Sequence, residues 1–365
     1  METYFLKSED AFKFYESINK DYDLFVPVRI PSKKIKCEFG FDLAADDYIL
    51  KRYSQALKKD ITFNEYRPVE PVRTYFTHYK EEVVEFFHEG AESKKRERAA
   101  ALFGVKSCDL FSLKIQDYVF LGGDEPDPVY KSRRESILLI ASDCTAFKEA
   151  CFCRAFQIDP FANEGFDINL SPLNNGYLVD VATKKGQAAV QELKNVFTQA
   201  TLGQLSGREA KREAVAKRLD EHLSYHKIPG KDVLREIVTA GFNSPVWNEQ
   251  MKTCVECGGC VLMCDTCHCF LLSDEKRGEL NTKRMRLWDG CLFKNFTRVA
   301  GGANALRMRY MRLRNRFMKK FDFFIENMGI QGCCGCGRCI DVCPGKIDIR
   351  GILKRLNDEK YIPAA

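Results

Sequence analysis

At 365 residues, with 45% hydrophobic and 30% charged side chains, the chain can bury a sizeable core and is too apolar for a disordered tail. A formal charge of +6 is modest for this length and does not by itself call for nucleic acid. Seventeen cysteines, an odd number in a long chain with no apolar leader over Met1–Asp23, argue for free thiolates in a reducing cytoplasm rather than a secreted disulfide scaffold.

Over 1–95 the pattern is mixed α/β. Phe12, Tyr15 and Ile18 predict a helix over Glu9–Asn19, and Leu24–Ile30 reads as a strand closed by Pro31. Leu43, Asp46, Leu50, Tyr53 and Leu57 predict a helix over Asp42–Lys59, and Glu81–His88 is a short strand or helix. No chemistry is visible in this part, and Cys37 reads as an ordinary thiol. Glu92–Arg98 is a charge run, read as a solvated loop.

Over 96–225 the pattern becomes strand–helix–strand. Ala99–Val105 and Ser136–Ser142 read as buried parallel strands with a helix between them. The first ends at Cys108 and the second at Cys144, followed by Cys151 and Cys153. Ligands of open α/β sheets bind beyond such strand ends, so these four thiols are a candidate set for a third [4Fe–4S] cluster. Buried structural cysteines and a zinc site are the alternatives. Asn174-Asn175-Gly176 predicts a hairpin between Phe166–Leu170 and Tyr177–Ala182. Gly186–Leu223 reads as charged helix. His222 and His226 share a helix face there without a visible ligand neighbour. The run Ile137–Ala141, the longest aliphatic stretch, is too short to span a bilayer.

Over 226–365 the cysteines carry the chemistry. Cys254, Cys257, Cys260 and Cys264 have C-x2-C-x2-C-x3-C spacing, and Cys333, Cys336, Cys339 and Cys343 repeat it, with Pro344 following. That spacing holds [4Fe–4S] clusters, and the fourth cysteine of each run serves the other cluster. The expected sets are Cys254, Cys257, Cys260 and Cys343 for one cluster, and Cys333, Cys336, Cys339 and Cys264 for the second. Between the runs, much of the insertion reads as helical, including the basic stretch Arg307–Lys320. A basic face there suits an acidic redox partner, a nucleic acid or plain solvent, in a chain with few interleaved aromatics. Cys267, Cys269 and Cys291 are left over. They are candidates for a further cluster, an outer role beside a cluster, or burial, with His268 as a weaker ligand. Cys334 is surplus to the spacing.

The expected fold is an α+β or α/β N-terminal domain followed by a mostly α-helical, dicluster ferredoxin-like domain. Neither a G-x-G-x-x-G helix opening nor a phosphate-binding G-x-x-x-x-G-K motif is present, so no nucleotide or flavin site is expected.

Several motifs, in order, resemble one family. They are Phe103-Gly104-Val105-Lys106-Ser107-Cys108-Asp109, Arg133-Arg134-Glu135, Cys151-Phe152-Cys153, Gly165-Phe166-Asp167 and the first cysteine run. Thr266-Cys267-His268-Cys269, Trp288-Asp289-Gly290-Cys291, Ala300-Gly301-Gly302 and Cys336-Gly337-Arg338-Cys339 follow. The sequence resembles iron–sulfur β subunits of cytoplasmic sulfhydrogenases (nickel–iron hydrogenase/sulfur reductase) and the corresponding iron–sulfur subunit of anaerobic sulfite reductase, from about Ala99 to Ile349. The resemblance implies a [4Fe–4S] electron-transfer subunit working with a flavin subunit linked to NAD(P)H, or with ferredoxin, and with a separate catalytic subunit. Nucleic acid and a direct membrane span are not expected. A reductase with its own reactive cluster, acting on sulfite, sulfur or a disulfide, is the alternative. Asp265 departs from the proline common after the fourth cysteine, and Cys334 is a second departure.

Overall fold

In the computed structural model, residues 2–30, 46–86, 98–277 and 281–360 are described. Cys37, the start of the helix expected at Asp42 and most of the Glu92–Arg98 run lie outside them.

The chain opens with strand β1 (Glu2–Lys7), helix α1 (Ala11–Asp21) and strand β2 (Asp23–Ile30). Helix α1 buries Phe14, Tyr15 and Ile18, an i, i+1, i+4 stripe packed on the sheet. Residues 47–52 are not helical. They form β3 (Asp47–Arg52), antiparallel to β2, with Tyr48 and Leu50 buried alternately. The helical reading failed because pairing with β2 imposes a period of two on residues whose spacing also tolerates a helix. Strand β4 (Lys80–Phe86) follows.

Strand β5 (Ala100–Val105), α2 (Ser107–Leu121), α3 (Pro128–Ser136) and β6 (Leu138–Ser142) make the expected parallel unit. Every residue of β6 is buried, the signature of a strand covered on both faces. Strands β7 (Ile168–Leu173) and β8 (Gly176–Val181) form the expected hairpin. Then come α4 (Lys184–Val190), β9 (Phe197–Gln199) and the long α5 (Leu202–His226). Strand β9 interrupts the stretch expected to be helical. Phe197 pairs with Leu6 of β1 and stacks on Tyr4, burial that helical propensity cannot supply.

The order β3-β2-β5-β6-β7-β8-β1-β9 defines one eight-stranded sheet, parallel from β2 through β7 and antiparallel elsewhere. It takes strands from both sides of residue 95.

Helices α6 (Lys231–Ala240), α7 (Val246–Gln250) and α8 (Gly259–Leu262) lead through the first cysteine run. The segment after it is a sheet: β10 (Phe270–Arg277) and β11 (Asn281–Trp288) pair with each other, and β11 pairs with β4. The helical reading of this part of the insertion is corrected over β10 and β11, because the partner strand comes from about 200 residues away and Arg286 of β11 is buried on Glu81 of β4 at 2.6 Å. Helix α9 (Arg309–Met318) continues through a π-helical turn (Lys319–Phe323) into α10 (Phe324–Met328). Helices α11 (Arg338–Asp341) and α12 (Ile349–Lys360) complete the described chain. Trp247 on α7 packs edge-on against Phe317 of α9, in a core that α6 and α12 share. The N-terminal region is therefore sheet-rich α/β, and the C-terminal region is helical around its cysteines with a three-stranded sheet attached.

Candidate metal centres

The first run folds as a loop entering the single turn of α8, with Gly258 in the left-handed region at φ +73°. Cys254, Cys257, Cys260 and Cys343 line one cavity, bounded by Leu292, Arg316 and Cys339. Backbone amides point at its sulfurs: Glu256 N–H donates to Cys254 Sγ at 3.4 Å and Ile347 N–H to Cys343 Sγ at 3.3 Å. Such donors stabilise thiolate sulfur in a cluster.

The second run lies deeper. Cys333 and Cys336 are buried, and Cys339 packs against the same core. Cys264 arrives from the first run and acts electrostatically on both Cys333 and Cys339. Its thiol is held well below the usual range, first by a hydrogen bond from Cys267 and then by Lys320 and Arg316. Cys336 is likewise lowered by a hydrogen bond from Cys334, with Arg338 and Arg67 adding to it. Burial pushes Cys333 up to about 11 and Cys339 up to about 12. Loading metal on these thiols displaces protons.

The third set is pressed against the second run. Cys144, Cys151 and Cys153 share a small core with Phe147, Val215 and Leu219, while Cys108, at the start of α2, is buried in the main core with Cys336. Phe152 N–H donates to Gly335 O at 2.8 Å. Gly335 has φ +66°, and a Cβ there would lie 2.6 Å from both Cys153 Cα and Cys153 N. Gly337, at φ +74°, would place a Cβ 2.2 Å from Ala150 O. These two positions need glycine both for conformation and for approach. The loops bearing Cys153 and Cys336 thus touch backbone to backbone.

Buried cations surround the cysteines, and reading the sequence alone missed them. Arg312, Arg316 and Lys320 recur every four residues on α9 and its π-turn and all face inward. The stretch Arg307–Lys320 is therefore not a wholly solvated or partner-facing basic face. Arg316 donates to Cys260 O at 3.1 Å and its Nε has no partner; neither it nor Lys320 meets a carboxylate among the described residues. Lys320 Nζ donates to Cys264 Sγ at 3.5 Å, Thr266 Oγ1 at 2.7 Å and Gly332 O at 2.8 Å. From the part in which the sequence showed no chemistry come Arg67, bonded to Cys336 O, and Arg73. The Arg73 guanidinium takes the Cys267, Val261 and Leu262 carbonyls and stacks over Trp288 at 3.6 Å. Arg338 lies 2.7 Å from both Asp109 and Asp265. Asp265, the departure from proline, is thus a fully buried link. Its carboxylate also accepts Arg73 N–H at 2.9 Å.

This setting fits cubane clusters. Each set offers thiolates, and four thiolates on a cubane carry net negative charge that Arg316 and Lys320 can balance without a carboxylate. Tetrahedral zinc needs sulfurs about 3.8 Å apart at its ordinary Zn–S length. No three cysteine sulfurs lie within 4.8 Å of one another among the described residues.

The leftover thiols gather near the first two sets. Cys291 is buried with Cys260 and Cys267 beside it, and Cys269 acts on Cys291. His268 contacts Thr266 O through Nδ1 at 3.2 Å, and burial pulls it down to about 4. Cys334 is buried against Cys336 and Cys108. His222 and His226 do acquire a neighbour, Glu149, which no local spacing could reveal. However, Arg350 holds both oxygens of that carboxylate, at 2.8 and 3.1 Å.

Fold and cysteine geometry define an iron–sulfur protein, and residues 253–347 match the 4Fe-4S dicluster domain family. Over 257 residues the sequence is 35% identical to sulfhydrogenase 2 subunit beta of Pyrococcus furiosus, covering 70% of this chain and 74% of that protein. The chain belongs to the family of iron–sulfur β subunits of sulfhydrogenases. Among the described residues no helix is long and apolar enough to cross a membrane.

Proposed function

We propose that this chain is the electron-transfer subunit of a cytoplasmic oxidoreductase complex, linking a flavin-containing, NAD(P)H-linked partner to a catalytic subunit. Three [4Fe–4S] clusters supply one-electron carriers when bound. Cys254, Cys257, Cys260 and Cys343 hold the first, Cys333, Cys336, Cys339 and Cys264 the second, and Cys108, Cys144, Cys151 and Cys153 the third. The backbone bond from Phe152 to Gly335 carries this reading most directly, because it joins the loops of the second and third sets without intervening solvent. Cys264 and Cys343 interleave the first two sets in the same way. The cysteines would hold the iron, the loop amides and Lys320 bond the sulfurs, and Arg316 and Lys320, which meet no carboxylate among the described residues, would offset the negative charge. Helix α9 and the α7–α12 core exclude water around them.

The test is anaerobic. The holoprotein should be reduced by NADPH only when a ferredoxin-NADP-reductase-type flavoprotein is added. It should then reduce benzyl viologen, and alone it should turn over no sulfite, polysulfide or disulfide. Sustained reduction of sulfite or polysulfide by the chain alone, supplied with reduced viologen, would overturn the assignment in favour of a reductase.

A further inference from the structure

Of the sixteen described cysteines only Cys257 is exposed; the second and third sets are buried or half-buried. The surface around Cys257 has a definite composition. Val255 is 65% exposed and lines the first cavity, and Val342 is 37% exposed beside Cys257: a Cβ on Gly259 would stand 3.2 Å from Val342 Cγ2 and 3.6 Å from Cys257 Sγ. Lys252, Arg309 and Lys346 are exposed around them. Arg309 is fixed there by its bond to Cys254 O at 2.7 Å, and Thr253 Oγ1 bonds Gly345 O at 2.8 Å, which sets Lys252 and Lys346 on the same rim. None of the three cations has a carboxylate partner among the described residues. The nearby carboxylates are already engaged, Glu256 by Arg312 and Asp341 by Arg67 and Lys148. The rim is therefore a small apolar contact inside a net positive collar.

We infer that this rim is the docking face for an acidic redox protein, whose cofactor lies under a carboxylate-bearing surface. The inference rests on the electron-transfer reading above and names the point of exit or entry. Charge complementarity selects the occupant: the collar attracts carboxylates, and the valines give a dry contact close to Cys257. A nucleic acid would use the cations but neither valine, and no exposed aromatic lies among these rim residues for a base to stack on. The step is outer-sphere. One electron leaves the reduced chain, the partner's centre gains it, and no bond forms or breaks.

The experiment uses anaerobic, dithionite-reduced holoprotein in stopped flow. The oxidants are the anionic cobalt(III)–EDTA complex and the cationic cobalt(III)–tris-phenanthroline complex. In the Lys252→Glu/Arg309→Glu/Lys346→Glu variant the rate with the anionic oxidant should fall about tenfold or more at low salt, and the rate with the cationic one should rise. Because Arg309 also holds the Cys254 carbonyl, the Lys252→Glu/Lys346→Glu pair carries the same test with that bond intact, and the same directions are expected. Unchanged rates with both oxidants in a variant that retains its EPR signals would overturn the docking face. So would unchanged rates accompanied by loss of duplex-DNA retention, which would mark a nucleic-acid surface. A wild-type chain with no dithionite-reducible EPR signal would overturn the electron-transfer reading itself, a distinguishable result.

Discussion

Replacing Lys320 with Met should make the second cluster harder to reduce. The ammonium is buried, and its three donors reach Cys264 Sγ, Thr266 Oγ1 and Gly332 O. Burial alone would pull its pKa down, but the neighbouring cysteine sulfurs, Cys264 first, outweigh that and hold it raised and charged. A charge-assisted hydrogen bond contributes about 1.5–3 kcal/mol. Because a one-electron tenfold step is about 59 mV, the second cluster should shift negative by about 60–130 mV. EPR-monitored redox titration reads the shift, with iron content as the control and Lys320→Arg expected to keep the potential near wild type. A Met variant with full iron and a shift below about 20 mV would refute the argument that Lys320 charge tunes this site.

Cys144→Ser should remove about four irons per chain and leave the dicluster EPR signals in place, since Cys144 belongs to neither run. Iron content unchanged in that variant would sink the third site. Gly335→Ala drives a methyl into the Cys153 backbone from a left-handed residue. It should cost more than about 3 kcal/mol and strip iron from the second and third sites together, read by thermal melting and metal analysis. Arg338→Leu leaves Asp109 and Asp265 buried without their cation, a loss of about 3–5 kcal/mol. Adding Asp109→Leu and Asp265→Leu should recover part of the lost melting temperature.

The parts of this protein legible in its sequence were those written in local spacing. The two cysteine runs, the parallel pair β5 and β6, and the β7–β8 hairpin each depend on residues close in the chain. What escaped depended on distant partners. The 47–52 strand is fixed by β2, β9 by β1, and β10–β11 by β4, so helical spacing within each stretch misled. The same holds at the site. Arg67 and Arg73 lie roughly 190–270 residues from the carbonyls they bind, and no pattern around them marks that role. Arg312, Arg316 and Lys320 did carry a trace, a four-residue repeat inside a basic stretch, but charge suggested solvent where burial beside thiolates was the outcome. The glycines of the second run stand between its cysteines, a local pattern. Gly335 and Gly337 also make room for the Cys151–Cys153 loop, which only the fold could disclose.

The most direct test counts iron, acid-labile sulfide and zinc in the anaerobically purified chain. Three cubanes require about twelve irons and about twelve sulfides per chain, with negligible zinc. About eight of each would contradict the third cluster while leaving the two runs intact. Zinc in place of iron, without sulfide, would contradict the account as a whole.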